Sequence, residues 1–178
     1  MKVPYYYLLH PRPAYIIGSG TLGEKANIMA ASWVSPVSEE PERVAVALDK
    51  ESYTYELVKR TGEFTINVLP ASFVDKVYCV GSVSGRNVDK ALKCGLTLAR
   101  SKKVSAPIVK EAVGFLECSV YKWLELGDTE LVIGNVIHAE ANEGLFDRRG
   151  WNLAKVTIPL HLWGRAFALT GRVVVVKK

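Results

Sequence analysis

The segment Gly114 to Ala141 constrains the fold most, because it reads as two long strands turning at Gly127-Asp128. Both are rich in β-branched residues and in places apolar on both faces, as a closed or tightly packed sheet requires. Other strand patterns surround them. Ala14 to Gly18, Arg43 to Leu48 and the period-two stretch Glu63 to Leu69, stopped by Pro70, read as strands. Thr157 to Leu169 and Arg172 to Val176 complete the set around Gly164 and Gly171, with Val173 to Val176 as a final strand. Helical signals are short. Ser52 to Gly62 has an N-cap serine, apolar Leu57 and Val58, basic Lys59 and Arg60 in its last turn, and a closing glycine. Ser72 to Val80 forms another, with Ser72 and Asp75 approximating a capping box, and after the polar loop Gly81 to Lys90 a helical piece ends near Gly95. The sum is a mainly β chain of about seven strands, mostly hairpin-linked, with two or three short helices. That is an antiparallel, Greek-key-like β-barrel with helical decorations.

A competing signal is the run Gly18-Ser-Gly20-Thr-Leu-Gly23, which has the spacing of a dinucleotide-binding glycine loop, with Asp49 at the end of a later strand. That motif must open a helix, yet Asn27 to Val34 carries Asn, Ser, Trp and Val and runs into Ser35-Pro36. Nor does the chain alternate strands with full-length helices. Gly18 to Gly23 is therefore expected to be a loose hairpin turn, and Ala26 to Val34 its return strand.

With 178 residues, 49% hydrophobic and 23% charged, the chain suits one globular domain spanning its whole length. No repeat, low-complexity tract or linker divides it. Tyr5 to Leu9 is too short for a signal core and is closed by His10, Pro11, Arg12 and Pro13; a soluble, cytoplasmic protein with no membrane partner is expected. Cys79, Cys94 and Cys118 are odd in number and lack metal-ligand spacing, so they are expected as structural thiols, with neither a disulfide framework nor a metal site. The net charge of +5 is spread along the chain, with only doublets such as Lys102-Lys103 and Arg148-Arg149, which argues against a nucleic-acid partner.

The order of segments resembles the flavin reductase-like family, FMN-binding split barrels that include flavin reductases, archaeal ferric reductases and flavoredoxins. Four blocks carry the resemblance: Asn27-Ile-Met-Ala-Ala-Ser32-Trp33 with Ser35-Pro36-Val37-Ser38 and Pro41; Asp49-Lys50-Glu51-Ser52-Tyr53-Thr54; Gly62-Glu-Phe-Thr-Ile-Asn67-Val-Leu69; and Gly81-Ser-Val-Ser84-Gly85-Arg86-Asn87-Val-Asp89-Lys90. The resemblance implies an FMN-binding split barrel, reduction by NADH or NADPH, a homodimer, and a redox partner such as a monooxygenase. FMN is expected over FAD because no adenosine site is evident.

Chemistry gives separate reasons for these residues. A phosphate needs hydroxyls, backbone amides and a cation at a helix N-terminus; Lys50, Ser52 and Thr54 supply them, and Arg86 and Lys90 add charge. The ring edge needs backbone donors and acceptors, which the strand Ala30 to Trp33 offers with small side chains that admit a ring. With the residues of the matching blocks, the resemblance implies the cofactor-binding set Asn27, Met29, Ala30, Ala31, Ser32 and Trp33; Leu48, Asp49, Lys50, Ser52, Tyr53 and Thr54; and Ser82, Ser84, Gly85, Arg86, Asp89 and Lys90. No general acid or base is assigned. His161 is a candidate nicotinamide or flavin contact, and Trp163 stands where many relatives carry a second glycine, an expected narrowing of the pocket.

Two functions follow. One is an NAD(P)H-dependent flavin or ferric reductase. The other is an FMN-containing electron carrier, reduced by a protein partner, without its own nicotinamide site.

Overall fold

The computed structural model describes residues 3–176. A 3-10 turn, Tyr5–Leu9, leads into β1 (Arg12–Pro13), β2 (Tyr15–Gly20), β3 (Ala26–Ala31), β4 (Val34–Ser38) and β5 (Arg43–Asp49). Helix α1 (Tyr53–Thr61) and β6 (Glu63–Val68) follow, then α2 (Val74–Gly81) and α3 (Lys90–Cys94). The short strands β7 (Leu98–Ala99) and β8 (Ile108–Val109) precede the long hairpin β9 (Gly114–Glu125) and β10 (Thr129–Ala141). Strands β11 (Phe146–Asp147), β12 (Gly150–Trp151), β13 (Pro159–Trp163) and β14 (Ala166–Leu169) end the described structure.

The main sheet has seven strands in the order β3-β2-β6-β9-β10-β5-β4, and its neighbouring strands pair antiparallel. Its outermost strands, β3 and β4, are joined by Ser32 and Trp33 alone. So short a link spans no more than about 10 Å, and the sheet must curl until its edges meet. The Ala47 amide donates to the Trp33 carbonyl at 3.0 Å and fastens the junction to β5. Ile17, Val46, Leu48, Phe64, Cys118 and Val132 converge in one core cluster, with Val58 of α1. The alternate residues Ile16 and Ile28 face a second cluster with Val77, Val80, Ala91 and Cys94 of α2 and α3. The pleat explains the division, since successive residues of one strand point to opposite faces. A Cβ on Gly134 would come within 2.6 Å of the Phe64 ring, so glycine in β10 lets that ring lie against the sheet.

Several sequence expectations meet their structure directly. The Gly18 to Gly23 run lies in a hairpin, though Gly18 to Gly20 belong to β2 and the turn itself starts at Thr21: β2 and β3 pair from Tyr15↔Ala31 to Gly20↔Ala26. Ser52 caps α1 by accepting from the Tyr55 amide at 3.1 Å, and Gly62 ends it at φ +69°. The long hairpin turns where Gly127 and Asp128 predict.

Other expectations need correction. The return strand stops at Ala31, and Val34 begins β4 on the opposite edge of the sheet. Ser72 caps nothing: it lies in the 3-10 turn Ala71–Phe73, and α2 starts after Phe73 without a side-chain cap. The Ala71 amide donates to the Thr157 carbonyl at 2.7 Å and fixes the turn earlier than the capping pattern suggests. Val173 to Val176 form no strand and are 63–86% exposed. Their β propensity meets no partner among the described residues, and a strand exists only through its pairing. Finally, Cys79 and Cys94 form a disulfide, with Cα atoms 5.7 Å apart, rather than two thiols. The odd count hid it, because the third cysteine, Cys118, is buried alone in the core. No described helix is long and apolar enough to cross a membrane, and the described residues hold no cluster of potential metal ligands.

Candidate functional site

Strand β3 is an edge strand, bonded to β2 on one side only among the described strands. Its second edge therefore offers backbone donors and acceptors, and α2 packs beside it closely enough that a Cβ on Gly81 would stand 3.4 Å from the Ala30 Cβ. Between them lies a cleft of about 220 Å³. Ala30, Ala31 and Ser32 form one wall, Tyr78, Gly81 and Ser82 another, and His161, Gly164 and Phe167 of the β13–β14 hairpin a third.

The other end of β3 meets α1. Buried Asn27 donates from Nδ2 to Thr54 Oγ1 at 2.9 Å, tying the strand to the first turn of the helix. The loop after α2 folds over this junction. A Cβ at Gly85 would lie 2.0 Å from Asn27 Oδ1 and 3.1 Å from the Tyr53 ring, so only glycine permits so close an approach. Arg86 stacks its guanidinium 5.2 Å from the centre of the Tyr53 ring, pairs with Glu56, and donates to the Glu51 carbonyl at 3.4 Å. Ser84 turns the loop by accepting the Arg86 amide at 3.3 Å, and Asp89 caps α3 by accepting the Leu92 amide at 3.0 Å. The Cys79–Cys94 disulfide clamps both roots of this loop.

Asn27, Tyr53, Thr54, Ser84, Gly85 and Arg86 thus meet at one end of β3, and Ala30, Ala31, Ser32, Ser82 and His161 at the other. Trp33 is 38% exposed just beyond the cleft wall. Met29 packs against the barrel core, and Leu48 lies wholly inside it. Asp49 accepts the Glu51 amide at 2.8 Å, Ser52 serves as the α1 cap, and Lys50 reaches Glu125 at 2.6 Å. Lys90 points inward, donating to the Val80 carbonyl at 3.0 Å, and burial lowers its pKa. Trp163, expected to narrow the pocket, is 58% exposed and does not line the cleft. His161 does, and its pKa is lowered by burial, with His10 adding to the shift and a hydrogen bond from the ring to the Gly164 backbone carbonyl opposing it. Tyr78 and Phe167 escaped the sequence reading. Tyr78 had a usable signal, since it lies four residues before Ser82 and so shares its helix face.

Electrostatically the site is graded. One end carries the α1 N-terminus, which favours an anion, beside a guanidinium paired with Glu56; the other is a narrow, largely uncharged slot beside free strand backbone. Residues 7–170 match the family described as flavin reductase like domain. The chain belongs to the flavin reductase-like family. Its architecture is that family's FMN-binding split barrel. A relative in Archaeoglobus fulgidus of no recorded role is 39% identical over 139 residues, 78% of this chain and 77% of the relative. The ferric-chelate reductase (NAD(P)H) of the same organism is 29% identical over 131 residues, covering 71% of this chain and 73% of its own. Among solved structures, flavoredoxin from Methanosarcina acetivorans superposes with a TM-score of 0.88 at 28% identity, covering 99% of this chain and 94% of its own.

Proposed function

We propose that this flavin reductase-like chain holds FMN non-covalently along β3 and reduces it with NADH or NADPH, delivering electrons to a free flavin or a ferric acceptor. The observation that carries the reading is the joining of an anion-favouring end and a flat slot by a single edge strand. Gly85 lets the polar loop pack directly on Asn27 and Tyr53, which brings the loop's backbone amides to the α1 N-terminus where a phosphate would be held. Arg86 and the α1 N-terminus would neutralise that phosphate, and the free edge of Ala30 to Ser32 would orient the ring edge. Bound there, FMN supplies the hydride-accepting chemistry. The chain's own work is to orient and to exclude water: Tyr78 and Phe167 cover the slot, and His161, its charged form disfavoured by burial, faces it without adding a cation. FMN is favoured over FAD because the resemblance is to FMN-binding proteins and no residue pattern suggests an adenosine site.

The similarity to a flavoredoxin over nearly the whole chain supports a second reading, an FMN carrier reduced by a protein partner. Purified protein should be yellow and should bleach anaerobically on addition of NADH or NADPH. Yellow protein left oxidised by both would favour the carrier; protein that takes up no FMN would defeat both readings.

A cytoplasmic homodimer belongs to the same proposal. The accessible surface is 10657 Å², against about 8,600 Å² for a compact monomer of this mass. A second, apolar cleft of about 560 Å³ crosses β4, β6, β9 and β10, lined by Val34, Pro36, Phe115, Leu116 and Val136 among others, and would suit a second copy. A monooxygenase partner fits the reductase role.

A further inference from the structure

We propose that His10 and Tyr6 are positioning residues of the candidate site, holding His161 and Trp33 in place for a planar nicotinamide-type ligand. The proposal rests on the flavin reading and deepens it. Between Trp33 and Phe167 runs an unbroken train of rings. Tyr6 meets Trp33 at 5.9 Å and Tyr7 at 4.7 Å, Tyr7 meets His10 at 5.7 Å, His10 meets His161 at 5.4 Å, and His161 meets Phe167 at 5.3 Å between centroids. These spacings lie within the range of favourable edge-on aromatic contacts. Trp33 directly follows the cleft residue Ser32, while His161 and Phe167 line the opposite wall. The turn Tyr5–Leu9 therefore straps the two walls together from outside the barrel.

His10 is the fixed link. Its Nδ1 lies 2.7 Å from the Leu162 carbonyl, which can only accept, so Nδ1 carries the hydrogen. Nε2 is buried without a partner among the described residues, so the Leu162 bond is the hydrogen bond that orients the ring between Tyr7 and His161. Leu162 directly follows His161, so that bond holds the backbone of β13 at the point where His161 enters the cleft. Other titratable groups surround His161: Arg12 directly across from it on β1, Tyr78 on α2, Tyr7 behind His10, and Arg165 in the hairpin turn.

The test compares H10F, which keeps a ring in the train and loses the hydrogen bond, with H10N, whose amide can donate from nearly the Nδ1 position. FMN affinity, read by flavin fluorescence, should stay within twofold of the parent in both variants. The half-saturating concentration of NADH or NADPH for anaerobic bleaching should rise about fivefold in H10F, the effect of one lost neutral hydrogen bond, and return in H10N. NMR titration of His161 in FMN-free protein supplies a readout independent of turnover. Its midpoint should move up in both variants, because the His10 charge is lost, and further in H10F, where a ring no longer held would regain solvent. A Y6A variant should widen the nicotinamide defect while sparing FMN binding. Equal His161 titrations in H10F and H10N would overturn the proposal, because loss of charge alone would then account for any change from the parent. Failure of both NADH and NADPH to bleach yellow parent protein would instead defeat the reductase reading, leaving His161 titration to decide the positioning role.

Discussion

Cys118 and Lys90 show how burial alters individual groups. The Cys118 thiol is wholly buried, and desolvation, aided by neighbouring Glu117, pushes its pKa up to about 12. It should not react with a thiol reagent in the native protein. Unfolding without reductant should release one reactive thiol, and three would show that Cys79 and Cys94 are not paired. Lys90 is 8% exposed with its folded-state pKa below the ordinary 10.5. The unfolded chain then binds more protons than the folded one in the alkaline range, so stability rises as pH climbs through the folded value towards 10.5. Urea midpoints of parent and K90M, measured across that range, should diverge in the parent's favour; parallel curves would refute the shift. At Gly85, alanine would drive a methyl into Asn27 and Tyr53. G85A should weaken FMN binding at least tenfold while leaving the far-ultraviolet circular dichroism spectrum unchanged.

At the scale of elements, local chemistry was legible wherever it acts alone. Ser52 and Gly62 bracket α1 in the sequence as they do in the structure, and S52A should lose about 1 kcal/mol of stability in denaturant titration. The long hairpin was plain for the same reason. Illegible features were those that need a distant partner. Val173 to Val176 have the composition of a strand, but no neighbour among the described residues pairs with them. The Thr157 carbonyl, remote in sequence, overrides the cap pattern at Ser72. The site behaved likewise: Gly85, Arg86 and Asn27 were readable as types in a block, but the inward turn of Lys90 towards Val80 was not. The Cys79–Cys94 bond was equally hidden, although it encloses the whole Ser82 to Asp89 loop. Opening it by C79S and C94S should cost about 3 kcal/mol, the loop-closure value for a separation near fifteen residues. FMN affinity should fall as well, because the loop would then have to be ordered by the ligand.

For the whole molecule, the excess surface and the larger apolar cleft belong together. A139E, on the exposed side of that cleft, should convert a dimer to a monomer in sedimentation velocity without loss of bound FMN; an unchanged dimer would place the interface elsewhere. The junction at Ser32 and Trp33 carries a further consequence. It joins β3, which walls the small cleft, to β4, whose Val34 and Pro36 line the larger one. A ligand seated against β3 and a partner seated against β4 would therefore lie on either side of one two-residue link. By thermodynamic reciprocity, any increase in ligand affinity caused by association is matched by an equal increase in association caused by the ligand. Two residues of chain thus leave the barrel's contents and its company as neighbours across a single seam.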